Sequence, residues 1–175
     1  MGTDKNSKPM NDTLGIPNKP VIIRKCTEED LDGVMQVNLN ELPEDYPYFF
    51  YKSLLDNFGD AFLVACDQEG KVVGYIMWRV EKVPSVDEFK IYKKGHLVSI
   101  AVSKDYRRLG IATTLLTMSM KEIKKYGIDE YVLEVRVSNT PAISLYKKFN
   151  FSIHSIKYAY YRDGENAYYM IRKAD

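Results

Sequence analysis

The segment that most constrains the fold is the apolar run "GHLVSIAV" at residues 95–102, which leads into a basic turn and then a long helical pattern. A strand with so few polar residues is typical of the middle of a sheet, where other elements cover both faces. In the following "IATTLLTMSMKEIKKYG", apolar residues recur at helical spacing on one face, and Gly127 ends the pattern. The sequence therefore predicts a buried strand with a helix packed across it.

The rest of the chain alternates between strand and helix patterns from Pro20 onward. Strands are predicted at residues 21–26, 61–67, 71–83, 95–103 and 130–137, and over two long runs within 151–173 that meet at "RDGEN". Helices are predicted at residues 27–42, 48–59, 109–127 and 138–150, the first with Thr27 and Asp30 as a cap pair. Residues 84–94, "PSVDEFKIYKK", are interpreted as a polar connection. One mixed sheet with helices on both faces fits this order, which predicts an α/β or α+β domain.

The chain has 175 residues, a length that suits one domain with a proper core. Residues before Pro20 are polar and interrupted by Pro and Gly. We therefore expect a flexible tail at residues 1–19 and a single domain at residues 20–175.

The bulk composition excludes several classes of partner. A formal net charge of +1 gives no general attraction to nucleic acid or to an anionic membrane, and no apolar run is long enough to cross a bilayer. Cys26 and Cys66 each lie in an apolar run and are expected to be buried free thiols, which is typical of a reducing compartment. We therefore expect a cytoplasmic protein whose main ligand is neither nucleic acid nor a membrane.

The basic turn before the long helix has a composition suited to binding an anion. A helix N-terminus presents unpaired backbone N–H groups and a partial positive charge. Gly110 would let a phosphate approach the backbone without meeting a Cβ, and Arg107 and Arg108 add charge beside it. From these residues alone, a solvated surface turn that only starts a helix is the alternative.

The same turn carries a family resemblance. "RRLGIA", after a strand and before an amphipathic helix, fits the Arg/Gln-x-x-Gly-x-Gly/Ala signature of the GNAT acetyltransferase superfamily. In addition, "NELPEDYPYFFY", "GHLVSIAV", "LEVRVSNTPAISLYKKFNF" and "YYRDGENAYYM" resemble segments of the protein N-terminal (Nα) acetyltransferases, above all the archaeal enzymes and the catalytic subunit of the NatA complex. The resemblance runs in order from about residue 21 to 173. It implies a GNAT fold, with one mostly antiparallel sheet splayed between two central parallel strands and acetyl-CoA bound in the V between them.

The resemblance also implies which residues bind the coenzyme. Where the parallel strands part, the backbone of residues 100–102 is expected to bind the pantetheine arm and to polarise the thioester carbonyl. Asn139 matches a coenzyme contact and is also a candidate helix cap, and Tyr146 matches a tyrosine near the coenzyme sulfur that could protonate the leaving thiolate. The implied coenzyme-binding positions are Ile100, Ala101, Val102, Arg107, Arg108, Leu109, Gly110, Ile111, Ala112, Thr113, Asn139 and Tyr146.

Strand alternation points to a proton-transfer pair. It places His96 on one face with Val98 and Ile100, and Glu134 on a face of a strand that should lie beside it. Ionisable residues within apolar strands are costly unless they are paired or functional. We therefore predict that His96 and Glu134 relay a proton near the thioester, with a buried structural pair as the alternative. Two such ligands would make a poor metal site, so no metal is predicted.

Glu44 is the third candidate base, in the loop "LPED", where the family has Leu-Pro-Glu-Asn and this chain has Asp45. Without the resemblance it would be an exposed loop carboxylate. The resemblance makes this loop one wall of a peptide pocket and the tyrosine-rich hairpin near residue 160 the other. The implied substrate-binding positions are Leu42, Pro43, Glu44, Tyr46, Tyr160 and Tyr161.

Together these expectations describe an enzyme that transfers acetyl from acetyl-CoA to the α-amino group of protein N-termini. Direct attack in a ternary complex is expected, because no Cys or Ser is placed to form an acetyl-enzyme. The alternatives are a GNAT enzyme that acts on a lysine side chain or on a ribosomal-protein N-terminus, and a non-catalytic acetyl-CoA sensor. Expected partners are protein or nascent-peptide N-termini, with an auxiliary subunit or transient ribosome association left open.

Overall fold

The computed structural model describes residues 12–14, 19–87 and 89–175. The strands are β1 (Asp12–Leu14), β2 (Val21–Lys25), β3 (Leu63–Cys66), β4 (Val72–Pro84), β5 (Ile91–Val102), β6 (Glu130–Arg136), β7 (Ser152–Lys157) and β8 (Ala167–Lys173). The α-helices are α1 (Leu31–Glu41), α2 (Tyr48–Phe58), α3 (Ile111–Lys124) and α4 (Thr140–Lys148). Short 3₁₀ turns lie at Glu28–Asp30, Gly59–Ala61 and Lys104–Tyr106.

The strands form one sheet in the order β1-β2-β3-β4-β5-β6-β8-β7. Every neighbouring pair is antiparallel except β5 and β6, which are parallel. Helices α1 and α2 pack on one face and α3 and α4 on the other, and each face has its own buried core. The predicted fold class is therefore confirmed, with helices on both faces of a mostly antiparallel sheet.

Helix α3 lies across the central strands, as its apolar spacing predicted. It buries Ile111, Leu115 and other apolar residues of one face against the sheet. Beneath it, the fully buried Trp78 of β4 donates its indole N–H to the Ser119 hydroxyl at 2.9 Å. At 14 residues α3 is the longest helix in the described ranges, and none there is both long and apolar enough to span a membrane.

The two parallel strands separate after a short stretch of pairing. Their last paired residues are His96 and Val132. Beyond that point β5 runs on to Val102 paired with β4 alone, and β6 runs on to Arg136 paired with β8 alone. The strand edges that face each other across this gap therefore have backbone N–H and C=O groups without a strand partner.

A β-bulge in β5 corrects one expectation. The register shifts between Met77 and Trp78 of β4, which leaves Val98 as an extra residue in β5. An extra residue resets the two-residue alternation of side chains. Val98 contacts the α1/α2 core but Ile100 contacts the α3/α4 core, so the prediction that both share a face with His96 is wrong for Ile100.

The β4–β5 hairpin is longer than predicted. We expected residues 84–94 to be a polar connection, but β5 begins at Ile91 and pairs back to Pro84, so only residues 85–90 connect the strands. The lysines of this segment predicted a loop. They lie instead on the ends of β4 and β5, beyond both cores, where one or both faces of the sheet meet solvent. Pairs such as Val83 with Tyr92 continue the ladder there.

The β7–β8 connection is also longer than expected. The two strands were predicted to reach the "RDGEN" turn, but residues 158–166 form an irregular loop instead. Ala159 has a positive φ of 48°, and its N–H donates to the Asn166 side chain at 2.8 Å. Gly164, with φ of 86°, supplies the turn at the loop tip. This loop lies beside the end of β6, where Arg136 contacts Asp163 and Glu165.

Part of the predicted N-terminal tail falls within the described residues. The segment Asp12–Leu14 pairs antiparallel with β2 at the sheet edge. Residues 1–11 and 15–18 lie outside the described residues, so the boundary of the tail at residue 19 stays a prediction.

The start of the first helix is fixed by one buried carboxylate. Asp30 accepts hydrogen bonds from the Thr27 backbone N–H at 2.8 Å and hydroxyl at 3.0 Å. Arg24 of β2 donates to both Asp30 oxygens, at 2.6 and 2.9 Å. The predicted cap pair is confirmed, and the two-pronged arginine ties it to the sheet. Burial works against ionisation of Asp30, but Arg24 and Thr27 outweigh it and hold the pKa below its usual value.

We expect Asp30→Asn to lower the free energy of unfolding by about 2 kcal/mol near neutral pH, because charge-assisted bonds to Arg24 are lost. Since the folded-state pKa is depressed, this contribution is complete above the unfolded pKa of about 3.9 and disappears as the pH falls through the folded value. Urea unfolding should therefore separate the two proteins at neutral pH and not in strong acid.

The matched control is Asp32→Asn, at an exposed position in the first turn of α1. It removes a favourable charge near the helix N-terminus, worth about 0.5 kcal/mol. A difference between Asp30→Asn and the unaltered protein that persists undiminished in strong acid would contradict the charge argument.

Candidate active site

The structure brings His96 and Glu134 together at the point where β5 and β6 separate. His96 Nε2 lies 2.5 Å from Glu134 Oε2, and the two side chains are only 11% and 8% exposed. The predicted juxtaposition of the two side chains is confirmed. The register of the parallel strands β5 and β6 places residues 96 and 134 on the same face of the sheet. Their role in proton transfer stays a prediction.

Three further charged residues extend this pair. His96 Nδ1 lies 2.5 Å from Glu81 Oε1, and Arg79 donates its Nε–H to the same carboxylate at 2.8 Å. Lys157 of β7 donates to Glu134 Oε1 at 2.6 Å. We call these five residues (Arg79, Glu81, His96, Glu134 and Lys157) the His96 cluster.

The sequence analysis did not name Arg79, Glu81 or Lys157. A signal for the first two was present: they are opposite charges two positions apart, directly after the apolar run of residues 72–78. That strand is the antiparallel neighbour of the one that carries His96. No comparable signal marks Lys157, which reaches Glu134 only through the placement of β7 beyond β8.

Burial and mutual charge together set the protonation of the cluster. Burial lowers the pKa of His96, but its bonds to Glu134 and Glu81 outweigh this and hold the pKa above its usual value. Burial raises the pKa of Glu134, but His96 and Lys157 outweigh it and keep the pKa below its usual value. The bond from His96, aided by Arg79 and opposed by burial, lowers the pKa of Glu81 to about 2. The two carboxylates therefore favour the protonated form of His96, and His96 in turn favours their ionised forms.

Tyr146 lies on the other side of the sheet. Its ring is buried in the α3/α4 core, 6.1 Å from the Phe151 ring centre, and burial raises the pKa of its phenol. Among the described residues, its hydroxyl has no hydrogen-bond partner within the protein. The separation of β5 and β6 lies between Tyr146 and the His96 cluster, so the predicted acid and the predicted base occupy opposite faces of the gap.

The basic turn presents a row of free backbone donors. Within the described structure, the N–H groups of residues 108–113 make no bond to another backbone or side-chain acceptor. Arg108 and Gly110 have positive φ values of 62° and 81°, which curls the backbone before α3 begins at Ile111. A Cβ at Gly110 would meet no atom within 4 Å, so the backbone there is open to approach. Such a concave set of N–H groups at a helix start suits an anion.

The two arginines of this turn differ. Arg107 forms an ion pair with Glu41 of α1, and its Nε–H donates to the Val102 carbonyl at 3.3 Å. Glu41 also accepts the Lys104 backbone N–H at 3.1 Å. Arg107 therefore holds the turn against α1, whereas Arg108 forms no ion pair within the described residues, and its contact with a ligand stays a prediction.

The other predicted coenzyme positions use their side chains for packing. Ile100 and Val102 contact the α3/α4 core and Ala101 is buried on the α1/α2 face, so only their backbone edges face the gap. Leu109 also packs partly against the α3/α4 core and Ile111 is buried in it, while Ala112 and Thr113 lie on the first turn of α3. Asn139 accepts the Ala142 N–H at 3.3 Å, which confirms it as the cap of α4. A coenzyme contact for these residues stays a prediction.

Glu44 is tied to Arg136, which joins the two predicted walls of the pocket. Arg136 at the end of β6 contacts Glu44 at 2.7 Å, Asp163 at 2.8 Å and Glu165 at 2.9 Å. Its guanidinium also stacks 4.0 Å from the Tyr161 ring centre. The loop carrying Glu44 and the 158–166 loop are therefore held together by one cation. Glu44 is an ion-paired anchor of the pocket rather than an unpaired loop carboxylate.

Tyrosines line both walls around this anchor. Tyr46 stacks on Phe50 with ring centres 4.8 Å apart, and Leu42 is half-buried against the α1/α2 core, while Pro43 is exposed. On the opposite wall, Tyr160 and Tyr161 meet edge to face at 5.0 Å. Burial and nearby carboxylates raise the pKa of Tyr160 to about 12, so its hydroxyl stays protonated and can donate.

Metal ligands are not gathered at this site. Among the described residues, no group of three or more His, Cys, Asp or Glu side chains is arranged to hold a metal ion.

The family that the sequence matches agrees with this fold and with these features of the site. The family described as Acetyltransferase (GNAT) family matches residues 27–151, well over half of the chain. The protein therefore belongs to the GNAT acetyltransferase family.

Within that family the chain is similar to proteins named for N-terminal acetylation. It is 47% identical over 156 residues to the N-alpha-acetyltransferase of Sulfolobus acidocaldarius, covering 85% of this chain and 89% of the relative. It is 36% identical over 150 residues to ard1 of Schizosaccharomyces pombe, the catalytic subunit of the N-terminal acetyltransferase A complex, covering 85% of this chain and 82% of that one. Among solved structures, Naa20 of Chaetomium thermophilum in complex with a bisubstrate analogue has a TM-score of 0.74 at 28% identity, covering 86% of this chain and 85% of that one. The resemblance drawn from the sequence motifs is confirmed.

We expect Arg136→Met to loosen both walls of the pocket while leaving the sheet intact. The variant keeps an apolar stem but leaves Glu44, Asp163 and Glu165 to repel one another without a shared cation. Amide hydrogen exchange should rise by about tenfold or more in the 158–166 loop and stay unchanged in β6 and β8.

Arg162→Met is the matched control, because Arg162 lies in the same loop but is exposed. It should leave exchange in the loop as it is. Equal exchange in the Arg136 and Arg162 variants would mean that the ion pairs do not hold the loop.

Proposed function

We propose that this protein transfers the acetyl group of acetyl-CoA to the α-amino group of protein N-termini. The observation that carries the proposal is the buried His96–Glu134 pair at the point where β5 and β6 separate. It occurs in a member of the acetyltransferase family whose relatives are named N-alpha-acetyltransferases.

The residues around the gap fit acetyl-CoA. The free N–H groups of residues 108–113, with the exposed Arg108 beside them, suit the pyrophosphate. The unpaired edge of β5 beyond His96 offers backbone groups to the amide-rich pantetheine arm and a donor to the thioester carbonyl. Bound there, acetyl-CoA supplies the acetyl group and a thiolate leaving group.

The His96 cluster supplies the base. An α-amine has a pKa of about 8, so a sizeable fraction is neutral near that pH and only one proton must be removed as the amide forms. In our mechanism the amine nitrogen attacks the thioester carbon, the C–N bond forms, the C–S bond breaks and the amine proton passes to the His96–Glu134 contact, directly or through water. In the same mechanism Tyr146, which is buried in the α3/α4 core on the far side of the gap, returns a proton to the thiolate.

Direct attack is favoured over an acetyl-enzyme. Both cysteines are buried free thiols within the α1/α2 core, and burial raises the pKa of each. A thiol with a raised pKa is a poor nucleophile. Buried free thiols are also typical of a reducing compartment, which supports a cytoplasmic location.

The pocket geometry favours an N-terminus as the acceptor. Arg136 holds the Glu44 loop against the 158–166 loop, which carries Tyr160 and Tyr161. The backbone of an extended peptide N-terminus can donate and accept hydrogen bonds along such walls. Auxiliary subunits and ribosome association belong to this proposal as open partners, since one relative is the catalytic subunit of a complex.

The test is acetyl transfer from labelled acetyl-CoA to a peptide panel. It contains peptides with free Met, Ser, Ala, Gly and Glu N-termini, one with a ribosomal-protein N-terminus, and an N-blocked peptide with one internal lysine. We expect label on free N-termini alone. Label confined to the blocked lysine peptide would overturn the substrate assignment, and stabilisation by acetyl-CoA without any transfer would favour a sensor.

We expect Glu134→Gln and His96→Ala each to lower kcat by about 100-fold, because removing a general base costs about that much. The Michaelis constant for acetyl-CoA should change by less than about threefold, because neither side chain lies at the free N–H groups of the turn.

Glu69→Gln, in the exposed β3–β4 turn, is the control for a lost carboxylate. If the Glu134 and His96 variants were as active as this control, the pair would be structural and the proposed base would be wrong.

A further inference from the structure

One carboxylate joins the first helix to the basic turn. Glu41 is the last residue of α1, and its side chain is only 14% exposed. One of its oxygens lies 2.5 Å from the Arg107 guanidinium, and the other accepts the Lys104 backbone N–H at 3.1 Å. The proposed mechanism gives Glu41 no role, although residues 104–107 lead directly into the free N–H groups of residues 108–113.

The position of Glu41 is unfavourable without these partners. The C-terminal end of a helix carries a partial negative charge, which repels a carboxylate. The last turn of α1 contains no basic residue that would offset this repulsion. Arg107 is half exposed, and an exposed ion pair stabilises little by itself, but here the carboxylate is mostly buried and also accepts a backbone N–H. The turn therefore supplies the compensation that α1 lacks.

The end of α1 is itself fixed to the sheet. Asn38, one helical turn before Glu41, is fully buried and donates to the Tyr75 hydroxyl of β4 at 2.8 Å. That hydroxyl lies 2.7 Å from the Ser99 hydroxyl of β5. A side chain on a rigid element holds its partner more precisely than a side chain on a loop. Glu41 thus presents a fixed pair of acceptor oxygens to the turn.

The backbone of the turn requires such support. Arg108 has a φ of 62°, a left-handed conformation that is costly for a residue other than glycine. Arg107, directly before it, is bonded through two guanidinium nitrogens, to Glu41 and to the Val102 carbonyl at 3.3 Å. These bonds commit Arg107 within the protein. They also hold the curl that leaves the following N–H groups without a partner among the described residues.

We propose that Glu41 is a positioning residue for acetyl-CoA: by binding Arg107 and the Lys104 N–H, it holds the turn in the curled shape that receives the pyrophosphate. Arg107 belongs to the same clamp and contacts Glu41 rather than the coenzyme. A preformed set of N–H groups binds an anion more tightly, because the turn loses little freedom on binding. The inference rests on the proposed function only in taking acetyl-CoA as the ligand.

The direction of the change in Glu41→Met tests the clamp. Removing a negative charge beside an anion site and freeing Arg107 would, by electrostatics alone, strengthen the binding of acetyl-CoA. The clamp predicts the opposite: the Kd for acetyl-CoA, measured by titration calorimetry, should rise by about tenfold. Arg107→Met should raise the Kd by a similar factor and the double variant no further, because either change breaks the same contact. At saturating acetyl-CoA, kcat should stay within about twofold, since the His96–Glu134 pair is untouched.

Glu69→Met is the matched control for the lost charge. Glu69 is exposed and lies within electrostatic reach of Tyr106 in the same turn, but it forms no ion pair within the described ranges. Its loss should leave the Kd unchanged or slightly lower. In the protein without coenzyme, amide hydrogen exchange at Lys104 should rise by about tenfold or more in Glu41→Met and stay unchanged in Glu69→Met.

The outcomes separate this inference from the proposed function. An unchanged or lower Kd in Glu41→Met would overturn the clamp, and so would additive effects in the double variant, which would make Arg107 an independent ligand of the coenzyme. Either result would leave acetyl transfer to N-termini intact. Absence of transfer to every peptide, with acetyl-CoA bound and the Kd values changed as expected, would overturn the proposed function and leave the role of Glu41 standing.

Discussion

The site depends on the place where β5 and β6 stop pairing. Inside a sheet, backbone N–H and C=O groups normally bond to neighbouring strands. Here parallel pairing ends at His96, and two unpaired strand edges face each other up to Val102 and Arg136. On one side of the sheet the gap meets the start of α3 with its free N–H groups, and on the other it meets the His96 cluster. One break in pairing thus brings an anion-binding turn and an acid–base pair to the same opening.

The charges at this opening alternate in sign from one residue to the next. When His96 is protonated, the chain of contacts Arg79, Glu81, His96, Glu134 and Lys157 gives every member a neighbour of opposite charge. Buried charges are costly unless they are paired. Removing one member of a pair leaves the other as an unpaired buried charge, with the full desolvation penalty. The chain of charges therefore acts as a unit that holds the ring of His96 in a single orientation. Its outer members reach solvent and its centre does not.

Sequence patterns were sufficient for the order of elements and for the meeting of His96 with Glu134, because both depend on local periodicity. They were insufficient for Val98, since a bulge is set by how two strands register in three dimensions. They also missed Arg136 as the partner of Glu44, because the two are far apart in the chain and nothing local couples them. Irregular segments such as 158–166 lack the repetition on which a pattern depends.

The extra residue at Val98 also restricts how this strand can change in length over evolution. The bulge places both Val98 and Ser99 on the α1/α2 side, where Val98 packs against the core and the Ser99 hydroxyl lies 2.7 Å from that of Tyr75. Deleting one residue would restore regular alternation and keep His96 and Ala101 on one face, but it would remove one of these two contacts. Insertions and deletions should therefore accumulate in connections such as 85–90, while the length of the segment from His96 to Val102 stays fixed.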